Sequence, residues 1–214
     1  MLHGLAGNRL AMQTRARWLR GLGFACLTID LPAHGESDGS RVTFGHSEAA
    51  AVEAAVERAR QLVPGAPVGV IGISLGGASA LLAEDLGVQA MVVESVFAEL
   101  HTAIRNRCTR FLGPVGALAA GVLELQLRPR LGFGVGDVVP VREIGERPFP
   151  LFVLGGELDA NTPPAETRAL FEAARGPKEL WIVPGAAHVD LYHARPAGYE
   201  RRVGGFLGRW FPEG

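Results

Sequence analysis

Short apolar runs rich in branched side chains alternate along this chain with longer stretches whose apolar positions recur at helical spacing. The runs at 24–29, 68–73, 89–93, 150–154 and 179–183 predict strands. The stretches at 9–22, 47–62, 76–86, 163–174 and 196–210 predict helices. Ser47 stands where an N-cap belongs, and Thr162 followed by Pro163 is a start signal for the fourth helix. Gly87 is placed to stop the third. Continuous apolar strands separated by helices predict a mainly parallel sheet covered on both faces.

The alternation breaks once. Residues 97–146 hold no strand pattern and are helical in composition, interrupted by Pro114, Pro129, Pro140 and a glycine-rich run at 132–136. Inserted after a strand's C-terminal end, this segment is expected to lie over the mouth of the sheet as a small helical cap. The rest reads as one domain over 1–214.

Composition narrows the picture by exclusion. With 48% hydrophobic and 20% charged residues the chain is globular. A net charge of −1 calls for no polyelectrolyte partner. The arginine groups (Arg15, Arg17, Arg20; Arg105, Arg107, Arg110) lack interleaved stacking aromatics and are expected on solvated helix faces, so nucleic acid is not a partner. Cys26, in an apolar run, reads as a core thiol; with Cys108 it makes neither a disulfide framework nor a metal cluster. No secretory signal pattern opens the chain, and the apolar run 111–123 is too short to span a bilayer. The expected location is the cytoplasm.

The chemistry is carried by Gly72-Ile73-Ser74-Leu75-Gly76. It fits G-x-S-x-G, with a strand before it and a helix after it, the context in which a serine hydroxyl is displayed on a tight turn. A serine needs a base, usually a histidine oriented by a carboxylate. Of six histidines, His188 follows the last strand, and His193 is its competitor. Asp159 follows the strand before that; Glu94 is the alternative acid, with Glu157 and Asp190 nearby. Ser74, Asp159, His188 is the hydrolase chain order. Oxyanion donors are expected from the Leu75 amide and, in the loop His3-Gly4-Leu5-Ala6-Gly7, from the Leu5 amide. His3 itself reads as structural.

These pieces resemble the α/β-hydrolase superfamily. The likeness rests on His3-Gly4; on Asp30-Leu-Pro-Ala-His-Gly-Glu-Ser37, with Ala33 where a glycine is usual; on the serine motif; on Gly156-Glu-Leu-Asp159; and on Gly185-Ala-Ala-His188. Within it the chain looks like the serine-aminopeptidase-like serine hydrolases with short caps. The resemblance implies an α/β-hydrolase fold, a small-molecule acyl substrate, most often an ester, and no cofactor or metal. It also implies a central strand between the runs 24–29 and 68–73, of which only Met1 and Leu2 are present. The expectation is an incomplete start, or another segment filling that gap. Two unpaired strand edges otherwise result, each exposed group costing roughly 1–3 kcal/mol.

Serine at the elbow argues against the aspartate-dependent dehalogenases and epoxide hydrolases and the cysteine-dependent dienelactone hydrolases. An esterase acting through an acyl-enzyme is the expected function. Acyl transfer or peptide cleavage on the same triad, or a non-catalytic binding protein on a hydrolase fold, are the alternatives. Labelling by a fluorophosphonate separates the last from the rest.

Overall fold

The computed structural model describes residues 1–84 and 86–211. Its centre is a parallel sheet of β1 (Gly69–Ile73), β2 (Ala90–Glu94), β3 (Leu151–Gly156) and β4 (Lys178–Val183), in that spatial order. Each strand is next to its predecessor, so every crossover stacks a helix on the sheet. β2 and β3 are buried at every position, as strands covered on both faces must be.

The helices divide between the two faces. α2 (Glu48–Leu62), α3 (Leu75–Leu82), α6 (Pro140–Glu146) and α7 (Pro164–Ala173) bury Val52, Val56, Leu81, Ile144 and Leu170 in one core. α1 (Gln13–Gly21) and α9 (Pro196–Trp210) bury Leu19, Tyr199, Val203 and Phe206 in the other. Between β2 and β3 run α4 (Leu100–Leu112) and α5 (Gly116–Leu131), joined by a 3₁₀ turn and packed side by side. A Cβ on Gly116 would come within 2.5 Å of the Cys108 backbone, so glycine lets the two helices close. Phe111, Leu112, Val115, Leu118, Val122 and Leu123 are exposed and form an outer apolar face. A four-residue helix, α8 (Leu191–Ala194), precedes α9.

Several expectations need correction. The 24–29 run is not a strand: it meets the sheet through one parallel bridge, Leu2 to Ile29. Leu2 also bridges Gly72, so one residue stands where a central strand would lie, and a ladder cannot propagate from it. Beside it opens a cavity of about 680 Å³. Cys26 lines this cavity, half-buried, and is not a core thiol. The third helix ends at Leu82; its expected end at Leu86 passes over residue 85, which lies outside the described residues. Ser47 makes no capping bond; Glu48 instead accepts from the Thr43 and Gly45 amides, at 2.7 and 2.9 Å. α7 starts one residue late because Thr162 is engaged elsewhere, as described below.

Arg15 is not on a solvated face. It is fully buried on α1, where the helical period puts it on the same side as Leu19.

Candidate active site

Ser74 is the hinge between β1 and α3, with φ 47° and ψ −109°. A non-glycine residue at such a φ is strained, and the flanking glycines are what make the turn possible. A Cβ on Gly72 would lie 2.7 Å from the Gly77 backbone, and one on Gly76 would lie 2.6 Å from Leu2 Cβ. The Ser74 amide donates to Glu94 C=O at 2.7 Å, which ties the turn to the end of β2. The Leu75 amide opens α3 and has no carbonyl one turn back to donate to.

The structure brings His188 and Asp159 together. Asp159 follows β3, His188 follows β4, and His188 Nδ1 lies 2.8 Å from Asp159 Oδ2. Both strands are parallel to β1, so all three residues stand at the C-terminal edge of one sheet. Asp159 is almost fully buried. Its Oδ1 accepts from the amides of Asn161 and Thr162, each at 2.9 Å, and its Oδ2 also accepts from Thr162 Oγ1 at 2.7 Å. Burial alone would raise its pKa. The His188 bond and the Thr162 donors outweigh burial and hold the carboxyl below its ordinary value. As an ionised acceptor it requires the proton of His188 on Nδ1, which leaves Nε2 free to act as a base. Among the described residues no hydrogen bond joins Ser74 Oγ to His188; such contacts often tighten only with substrate in place.

The loop after Leu2 comes up against the serine. A Cβ on Gly4 would lie 3.6 Å from Ser74 Cβ, and the Gly7 amide closes the turn on Gly4 C=O at 3.0 Å. That turn carries the Leu5 amide. His3 braces it: Nε2 accepts from the Leu31 amide at 3.0 Å, so Nδ1 carries the proton and donates to Gly4 C=O at 2.8 Å. Burial lowers the His3 pKa, which suits this neutral, structural ring.

The rival candidates are occupied differently. Glu94 is bound by Arg15 Nη2 at 2.7 Å and Nε at 3.1 Å, and by Tyr199 Oη at 2.5 Å. Asp190 takes the other edge of Arg15, at 2.8 and 2.9 Å, and caps α8. His193 is exposed and faces Asp190 at 3.1 Å. Sequence reasoning missed this group, in which Arg15, Glu94 and Tyr199 are buried and Asp190 is half-buried; the one available signal was an arginine four residues before an apolar Leu19. Burial would lower the Arg15 pKa, but the Glu94 charge more than reverses this, and the guanidinium stays protonated.

The helical segment is tied to the acid's loop. Asn106 Nδ2 on α4 donates to Glu166 at 2.6 Å, and Arg110 donates to Asn161 Oδ1 at 2.9 Å. Among the described residues no group of three or more His, Cys, Asp or Glu side chains is arranged to hold a metal.

The profile of the alpha/beta hydrolase family matches residues 1–202, and the chain belongs to that family. It is similar to YqkD of Bacillus subtilis, 26% identical over 96% of this chain and 69% of that protein. It is similar to YfhR of Escherichia coli K12, 26% identical over 90% of this chain and 63% of that protein. The chain thus spans about two thirds of the length of the curated relatives it matches. Among solved structures, an esterase of Pyrococcus furiosus superposes with a TM-score of 0.80 at 26% identity, covering 98% of this chain and 81% of that one. A monoacylglycerol lipase of Paleococcus ferrophilus shares the fold, with a TM-score of 0.71 at 22% identity over 96% of this chain and 92% of that one.

Proposed function

We propose that this α/β hydrolase is a serine esterase that cleaves carboxylic esters through an acyl-enzyme. The observation that carries the reading is the 2.8 Å bond from His188 to the buried Asp159, at the same sheet edge as a serine held in a strained turn. The 26% identity to a solved esterase supports the ester as substrate.

Ser74 Oγ attacks the carbonyl carbon while His188 Nε2 takes its proton. The carbonyl oxygen becomes an oxyanion, stabilised by the Leu75 and Leu5 amides. Asp159 holds the imidazole and stabilises its cationic form. The oxyanion then re-forms the carbonyl, the ester C–O bond breaks, and His188 returns the proton to the departing alcohol. Water, deprotonated by His188, attacks the acyl carbon; the bond from that carbon to Ser74 Oγ then breaks, His188 returns the proton to Ser74 Oγ, and the acid leaves. No step calls for a metal or cofactor.

The test is turnover of aryl esters of graded acyl length by wild type and Ser74→Ala. The reading expects hydrolysis by wild type with a defined length preference, and loss of it in the variant. Equal turnover by both proteins contradicts it.

A further inference from the structure

Residues 111–123 carry no charge and form the turn of the α4–α5 hairpin. Only Gly116 and Ala120 of this stretch are buried. Gly116 meets the Cys108 backbone of α4, and Ala120 follows one turn later on the same face of α5. The large side chains lie outside: Phe111, Leu118 and Leu125 are 78%, 75% and 80% exposed. An exposed apolar surface this continuous marks an interaction site.

Charge flanks the apolar turn with one sign. Five arginines and a single acid fall within 100–131, in a chain whose net charge is −1. The acid, Glu124, is taken by His101 Nδ1 at 2.8 Å. Arg128 faces an exposed Asp137 at 3.4 Å. Arg105 and Arg130 are exposed and have no ion-pair partner among the described residues. Arg105 stands seven residues before Leu112, and Arg130 seven after Leu123, so each shares a helix stripe with an apolar residue of the turn. Seven residues are about 10 Å of helix.

We propose that the α4–α5 hairpin docks on the surface of an anionic phospholipid bilayer, with the 111–123 turn below the headgroups and the arginines among them. An interfacial apolar face sinks about 5–10 Å into the headgroup–acyl boundary. Charges set about 10 Å back along each helix then meet the phosphates, which attract arginine there. A second copy of the chain fits this face less well. In a two-fold pairing the same patch meets itself. Arginines would face arginines, and Glu124 is already engaged by His101.

The test is co-sedimentation of the full chain with vesicles of equal parts phosphatidylglycerol and phosphatidylcholine, and with vesicles of phosphatidylcholine alone. The proposal expects wild type to bind the mixed vesicles at least about tenfold more tightly than the neutral ones, and high salt to weaken that binding. Leu118→Ser with Val122→Ser, and separately Arg105→Gln with Arg130→Gln, should each weaken binding to the mixed vesicles by about tenfold or more. All four positions are exposed, so Tm should not change. Absence of wild-type binding overturns the proposal, as does equal binding by wild type and the Leu118→Ser/Val122→Ser variant. A dimer in sedimentation velocity that this variant breaks, without vesicle binding, overturns it in favour of a second copy. Binding is read without turnover, so its failure and the failure of the esterase reading are seen separately.

Discussion

Arg15 and Glu94 form a buried ion pair, Nη2 to Oε2 at 2.7 Å, that joins α1 to the C-terminal end of β2. Their side chains are 0% and 1% exposed, so neither charge has water to fall back on. Breaking such a pair from one side leaves a charge buried alone, at a cost of about 3–5 kcal/mol. Arg15→Met is therefore expected to lose stability on that scale in urea unfolding. Arg15→Met combined with Glu94→Leu is expected to lose less than the two single changes added together. Additive losses would mean that the two groups act separately.

Asp159→Asn removes the ionised partner of His188 while keeping its shape. The amide also permits the wrong tautomer of the ring, so turnover should fall by about 10³–10⁴-fold. Binding of a non-hydrolysable substrate analogue should change little. His193→Ala, which removes an exposed ring facing Asp190, should leave turnover within about twofold. A large loss in that variant would move the base from His188 to His193.

Ala33 sits at φ +60°, in a loop where the resembling motif usually has glycine. A left-handed alanine costs roughly 1–2 kcal/mol, partly offset by the greater freedom glycine gives the unfolded chain. Ala33→Gly is therefore expected to raise stability by up to about 1 kcal/mol in denaturant unfolding. A loss would show that the methyl group makes contacts that outweigh the strain.

Much of this was legible along the chain because local pattern and tertiary outcome agree. The apolar runs that became β2 and β3 are buried throughout between helices, and a strand covered on both faces has to look that way in sequence. His188 and Asp159 were legible because a residue placed just after a parallel strand is delivered to the sheet's C-terminal edge. The 24–29 run failed for the opposite reason. Its composition is that of a strand, but a strand also needs a neighbour, and only Leu2 reaches it. Arg15 failed because its partners, Glu94 and Asp190, lie 79 and 175 residues away in sequence. Thr162 read as a helix cap, but its hydroxyl and amide are both given to Asp159.

The central claim is that Ser74 is a nucleophile activated by His188. Labelling with a fluorophosphonate, read by intact-protein mass, tests it most directly. Wild type should gain a single adduct, mapped to Ser74; Ser74→Ala should gain none, and His188→Ala should label far more slowly. An adduct on Ser74→Ala at the wild-type rate, or no adduct on well-folded wild type, would contradict it.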